Sequence, residues 1–147
     1  MRLTSFSDYT LRVLMFLALH PERLATIPEI ATAYGISENH LMKVVQQLVH
    51  AGTIESVRGK GGGIRLARPA AEIRLGQVVK ASEGSAPIVE CLSHDGGQCK
   101  IAPACRLTRV LMNAFAAFYA TLDECTLADL VSAPHLLNQL LQPPLDR

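Results

Sequence analysis

Residues 33–66, AYGISENHLMKVVQQLVHAGTIESVRGKGGGIRL, are the stretch from which the fold is read. Gly35 permits the left-handed backbone of a tight corner between two helices, Ile36 fills that corner, and Ser37 caps the next helix. Leu41, Val44, Val45 and Leu48 recur at three- and four-residue spacing and form its buried stripe. That stripe turns Asn39, Lys43, Gln46 and His50 outward, with His40 and Gln47 on the flank. Asn and Gln can pair bidentately with adenine and Lys with guanine, so the outward set suits base edges in a major groove. An ordinary solvated helix face has a similar composition.

The segment after this helix favours DNA. Ala51-Gly52 ends the helix, Ile54 to Val57 reads as a strand, Gly59-Lys60-Gly61-Gly62-Gly63 as a turn, and Ile64-Arg65-Leu66 as the return strand. Ile64 and Leu66 point inward there, which leaves Arg65 outward. The glycines, Gly62 among them, are expected to let the backbone approach a phosphate rather than to serve packing. A nucleotide-binding loop would need a Gly-Lys-Ser/Thr ending and a helix directly after it, and the sequence has neither. Between Glu55 and Glu72 stand Arg58, Lys60, Arg65 and Arg68 and no acid, a local basic patch that suits the DNA backbone or minor groove. Ser37, Asn39, His40, Lys43, Gln46, Gln47, Arg58, Lys60, Gly62 and Arg65 are therefore the candidate DNA-contacting residues.

Upstream, apolar residues at helical spacing predict a first helix from Ser5 to Leu19, with a capping box between Ser5 and Asp8. A second helix opens at Thr26-Ile27-Pro28-Glu29 and stops at Gly35. The 147 residues suit one small domain with an oligomerisation appendage rather than a multidomain enzyme. Apolar residues make up 49% and charged ones 18%, enough for an ordinary core. No signal peptide or membrane span is read, so a cytoplasmic location is expected. The net charge is only +1, but it is uneven: nine Lys/Arg against six Asp/Glu up to residue 75, five against seven after it.

The second half carries a different chemistry. A helix-like stretch from Gln77 to Ser82 leads into an irregular segment with Gly96-Gly97, Pro87 and Pro103, which holds Cys91, Cys99 and Cys105. In a reducing compartment, three clustered thiols suit a metal or a redox sensor better than disulfides. Their Cys-x7-Cys-x5-Cys spacing is not that of a zinc ribbon, and a four-coordinate metal still lacks one ligand. His94, Asp95, Cys125 or a residue from elsewhere could supply it, around structural zinc or an iron-sulfur cluster. Cys125 by itself reads as a small buried hydrophobe. Pro103 sits where a first-turn proline belongs, and Leu107, Val110, Leu111, Ala114, Phe115, Phe118 and Leu122 then recur at helical spacing. That stripe exceeds what the preceding domain can cover, so the same helix of a second copy is expected on it, giving a homodimer suited to a palindromic operator. The tail, from Thr126 through Leu141, reads as short helices packed on that bundle.

The fold class is thus mainly α with a small β wing: a winged helix-turn-helix (1–83), a cysteine loop (84–105), and a long dimerisation helix with its tail (106–147). Four segments, Leu3 to Tyr9, Val57 to Leu66, Pro103 to Leu107 and Tyr119 to Val131, resemble the family of iron-sulfur winged-helix repressors, especially its nitric-oxide-sensing branch. The resemblance spans nearly the whole chain. It implies that Cys91, Cys99 and Cys105 hold an iron-sulfur cluster, four-iron (4Fe-4S) in preference to two-iron (2Fe-2S). It further implies that the fourth ligand is Asp8 of a partner subunit. A sister branch that senses cluster supply has a histidine three residues after the last cysteine, where this chain has Thr108. The implied protein is no enzyme: it represses while the cluster is intact and releases its double-stranded DNA operator when nitric oxide attacks. The gap between the first two cysteines, seven residues, is longer than the resemblance leads one to expect. A redox or electron-transfer protein would use the same thiols, but it leaves the glycine wing without a purpose.

Overall fold

The computed structural model describes residues 2–84, 87, 89–93 and 97–142. Helix α1 (Ser5–Leu19) is the beam on which the rest is laid, with Val13, Leu14, Phe16 and Leu17 all buried. Its cap is Thr4, whose hydroxyl accepts the Ser7 N–H at 3.2 Å, so the box expected between Ser5 and Asp8 does not form. The helix starts one residue earlier than that box requires. Asp8 turns instead to Arg12 one turn on, with two contacts of 3.0 and 3.2 Å.

Helix α2 (Ile27–Tyr34) opens with the full Thr26/Glu29 capping box and Pro28 in its first turn, and it ends at Gly35 with φ +64°. Helix α3 (Glu38–His50) is capped by Ser37 and buries Leu41, Val44, Val45 and Leu48, the stripe read from the sequence. Strands β1 (Ile54–Val57) and β2 (Gly63–Leu66) pair antiparallel, Ile54 opposite Leu66 and Val57 opposite Gly63. Two backbone hydrogen bonds of 2.8 and 3.0 Å join Ile64 to Ala25, which fastens the wing to the turn between α1 and α2. Ile30, Leu41, Ile54, Ile64 and Ile73 close the core beneath.

Helix α4 (Leu75–Glu83) crosses α1 and carries α5 (Leu107–Asp123) on its other side. The α4–α5 contact is close because Gly76 has no side chain: a methyl there would overlap the Tyr119 carbonyl and come within 2.5 Å of Asp123 Oδ1. Asp123 Oδ1 also accepts the Gln77 N–H at 3.0 Å, and the Arg74 guanidinium donates to the Asp123 carbonyl at 3.1 Å. Pro103 is not in the first turn of α5. It belongs to a separate single turn, Ala102–Ala104, with Cys105 and Arg106 between it and the helix.

The tail also departs from expectation. Helix α6 (Leu127–Leu130) returns to the winged-helix module, where Leu127 is fully buried and its N–H bonds the Ile73 carbonyl at 2.8 Å. Leu130 and Leu141, the latter from α7 (Pro134–Leu141), pack on the same core rather than on a bundle around α5. Cys125 is exposed, not buried, and its carbonyl accepts the Leu75 N–H at 3.2 Å.

One contact that the sequence did not announce holds the start of α1. Glu83 Oε1 accepts the Thr4 N–H at 2.8 Å, the Thr4 hydroxyl at 3.0 Å and the Ser7 hydroxyl. Partial burial acts to raise the Glu83 pKa, but those three donors outweigh it and hold the carboxyl below its ordinary value.

Gly76→Ala should cost about 1–3 kcal/mol in denaturant unfolding, because backbone and the Asp123 carboxylate must both give way; an unchanged midpoint would mean that α5 does not rest on α4 as described. Glu83→Gln should lower the melting temperature at neutral pH. The gap from the parent should close as pH falls below the ordinary glutamate range, since a depressed folded-state pKa stabilises only while the group is ionised. A gap constant from pH 7 to pH 3 would assign Glu83 a neutral packing role.

Candidate DNA-reading face and cysteine loop

The α3 residues expected to read DNA do not all face one way. Asn39, Lys43 and Gln46 are exposed on the side opposite the buried stripe, and Lys43 forms no ion pair among the described residues. Ser37 is committed to the helix cap, its hydroxyl accepting the His40 N–H at 3.4 Å. The His40 ring lies 6.0 Å from the Tyr9 ring of α1. Gln47 turns toward the protein and donates from its side-chain amide to the Ala81 carbonyl of α4 at 3.2 Å. It ties α3 to α4.

In the wing, Arg58 and Lys60 are exposed and without ion pairs among the described residues, which leaves their charge available to phosphates. Arg65 faces outward as expected but is bonded to Glu55 directly across the ladder. The glycines have internal reasons, contrary to expectation. Gly59 and Gly61 hold φ of +101° and +76°, which side chains resist. A Cβ on Gly62 would strike the Val57 carbonyl, and one on Gly63 would come within 2.6 Å of the Ala25 carbonyl. The tip is a tight turn packed against its own backbone, a constraint that stands beside any approach to a phosphate.

The cysteines lie between the end of α4 and the start of α5. Cys91 sits in a single turn, Glu90–Leu92, and Cys105 directly succeeds the turn that contains Pro103. The Cys99 carbonyl accepts the Ala102 N–H at 3.1 Å. All three are free thiols, each half-buried. Cys91 Sγ lies 3.2 Å from the Thr108 hydroxyl in the first turn of α5. Past the gap, Gly97 and Gln98 lie against Glu90, whose carboxylate accepts the Gln98 N–H at 2.8 Å and whose carbonyl stands within 2.6 Å of where a Gly97 Cβ would be. His94 and Asp95, considered as fourth ligands, lie outside the described residues.

Three thiols of this kind have the donor chemistry for iron-sulfur or zinc. Yet among the described residues no three His, Cys, Asp or Glu side chains converge as a metal-holding set. Asp8 is engaged with Arg12, about half exposed at 49%, and Arg12 also stands 5.7 Å above the Tyr34 ring. Among the described residues the set is therefore incomplete. Glu83 is the residue that sequence reasoning missed here: an acid in the last turn of a helix opposes the helix dipole, and that mismatch is the signal of a tertiary partner.

Helix α5 has no buried residue. Leu107 and Val110, on one side of the helix, are exposed at 58% and 61%, and Met112, on another, at 56%; nothing among the described residues covers this apolar surface. Among the described residues no helix is long and apolar enough to cross a membrane.

Comparison with known proteins agrees with this arrangement. A regulator named HTH-type transcriptional regulator NsrR from Bacillus subtilis is 46% identical over 97% of this chain and 98% of its own length. The protein of that name from Halalkalibacterium halodurans is 44% identical over the same shares. Among solved structures, T. potens IscR superposes with a TM-score of 0.72 at 26% identity, over 90% of this chain and 87% of that one. CymR, the global cysteine regulator of B. subtilis, gives 0.69 at 26% identity, over 90% and 97%. These are winged-helix regulators, DNA-binding proteins rather than enzymes. The family profile described as Rrf2, iron-dependent transcriptional regulator, matches residues 3–133, and the chain belongs to that family.

Proposed function

We propose that this regulator is a nitric-oxide-sensing repressor. As a homodimer it binds a palindromic operator while an iron-sulfur cluster, four-iron in preference to two-iron, is held by Cys91, Cys99 and Cys105 with Asp8 of the partner subunit. The observation that carries the proposal is three free, half-buried thiols on one loop between a DNA-reading module and an uncovered apolar helix. The near full-length likeness to NsrR regulators supports the choice of signal. So does Thr108, which stands where the cluster-supply branch has its histidine.

The bound group supplies iron that reacts with nitric oxide; the rest falls to the chain. Two α5 faces packed together would remove Leu107 and Val110, one turn apart, from water, and the two-fold axis would set a pair of α3 helices at half-sites about one DNA turn apart. Both Asp8 oxygens are engaged with Arg12, so ligation through one of them would displace or share a contact of that pair. When Asp8 is released it falls back to Arg12, and the start of α1 is then tied to its own α4 through Glu83 rather than to the partner's loop. A tenfold loss of operator affinity needs only about 1.4 kcal/mol, within the range of one cross-subunit ligand.

Protein purified without oxygen should be brown, and nitric oxide should bleach or shift that absorption in step with operator release. Asp8→Ala should keep the colour while operator affinity or its response to nitric oxide changes at least tenfold. A colourless protein that holds zinc and binds DNA regardless of the gas would overturn the proposal. Val110→Glu should yield monomers in sedimentation and lose operator binding; a Val110→Glu dimer would remove α5 from the interface.

A further inference from the structure

A cavity of about 200 Å³ lies where four parts of the DNA-binding module meet: α1, the back of α3, the root of the wing and α4. Phe6, Leu48 and Val78 give it apolar walls; Thr53, Arg68 and Gln77 give it polar ones. None of these belongs to the cysteine loop. Thr53 is 8% exposed, and both its backbone groups are occupied, its N–H by the Leu48 carbonyl and its carbonyl by the Ala67 N–H, each at 3.0 Å. Its hydroxyl has no partner among the described residues, although that hydroxyl is not sealed from the cavity. Arg68 likewise makes no ion pair among the described residues. An unpartnered hydroxyl that opens into the cavity and Arg68, an exposed residue at its rim, thus border a mostly apolar space.

We infer that this cavity is a binding site for a small monocarboxylate with a compact apolar body, and that its occupancy adjusts DNA binding. The size fits: a cavity of about 150 Å³ holds a benzene ring, so about 200 Å³ admits a ring with a carboxylate attached. The carboxylate takes the Arg68 guanidinium and the Thr53 hydroxyl, and the body lies against Phe6, Leu48 and Val78. Inorganic phosphate could use Arg68 but would leave the apolar walls wet. Water could satisfy Thr53 but not those walls. Because Gln47 of α3 reaches across the same cavity to the Ala81 carbonyl of α4, an occupant braces α3 against α4 and changes the freedom of the helix that reads DNA.

The test is a calorimetric titration of the full-length protein with sodium benzoate at constant ionic strength, with neutral benzamide of the same shape as comparator. The expected result is saturable binding of one benzoate per chain. Benzamide on the parent, and benzoate on Arg68→Gln, should each bind at least tenfold more weakly. Ala81→Leu, which fills the cavity from α4, should abolish binding. At saturation, benzoate should change operator affinity at least threefold in the parent and not in Ala81→Leu. Should Ala81→Leu fail to fold, Arg68→Gln and benzamide still decide. Absence of saturable binding, or equal binding of benzoate and benzamide, overturns the site; binding that leaves operator affinity unchanged overturns its link to DNA. No cysteine takes part, so the titration gives its answer whatever the cluster experiments show.

Discussion

Almost everything in this molecule leans on α1. Val13, Leu14, Phe16 and Leu17 are buried along one beam against which α3, α4, α6 and β2 are laid. A beam packed on so many sides cannot slide locally, because dense packing leaves no room for one neighbour to adjust without the others. Whatever acts on its first turn therefore acts on the seating of α3. That first turn is also the most polar part of the helix, with Asp8 held by Arg12, and Thr4 and Ser7 held by Glu83. Glu83 stands at the point where the chain leaves α4 for the cysteine loop, so the loop and the beam share an anchor.

Helix α5 presents the opposite situation. Its C-terminal half is docked closely, with Gly76 removing the side chain that would hold α4 and α5 apart, while its N-terminal half offers Leu107, Val110 and Met112 to water. Cys105 and Thr108 lie at that same exposed end. The uncovered apolar surface and the thiols, which have no fourth ligand among the described residues, are thus neighbours in sequence. One association event would answer both deficits.

Much of this was legible in the sequence because it is local. Gly35, Ser37, the stripe from Leu41 to Leu48 and the alternation around Arg65 depend only on neighbours a few residues away, and α2, α3 and the wing came out as read. Errors arose where a residue has two compatible local roles. Ser5 and Asp8 have capping-box spacing, but Thr4 takes the cap; Pro103 suits a first turn, but a separate turn takes it. The wing glycines read as a phosphate approach alone, but Gly62 and Gly63 also carry a packing constraint, since the Val57 and Ala25 carbonyls leave no room for a side chain. Contacts between distant residues, such as Glu83 with Thr4 or Gln47 with Ala81, leave little periodic trace, and neither did the return of Leu127 to the core.

That return has a consequence for how the protein comes into being. Residues 125–127 are fastened to residues 73–75 by backbone hydrogen bonds, with Leu127 plugging the core beneath Ile73. The cysteine loop and α5 are therefore an excursion whose two ends are pinned to the same floor. A ribosome that has finished the wing has made α3 and both strands, but the floor under them stays open until about sixty residues more, through Leu127, have been synthesised. The DNA-binding module is completed only after the cysteine loop and α5 have been made, so a nascent chain does not present a finished winged helix without them.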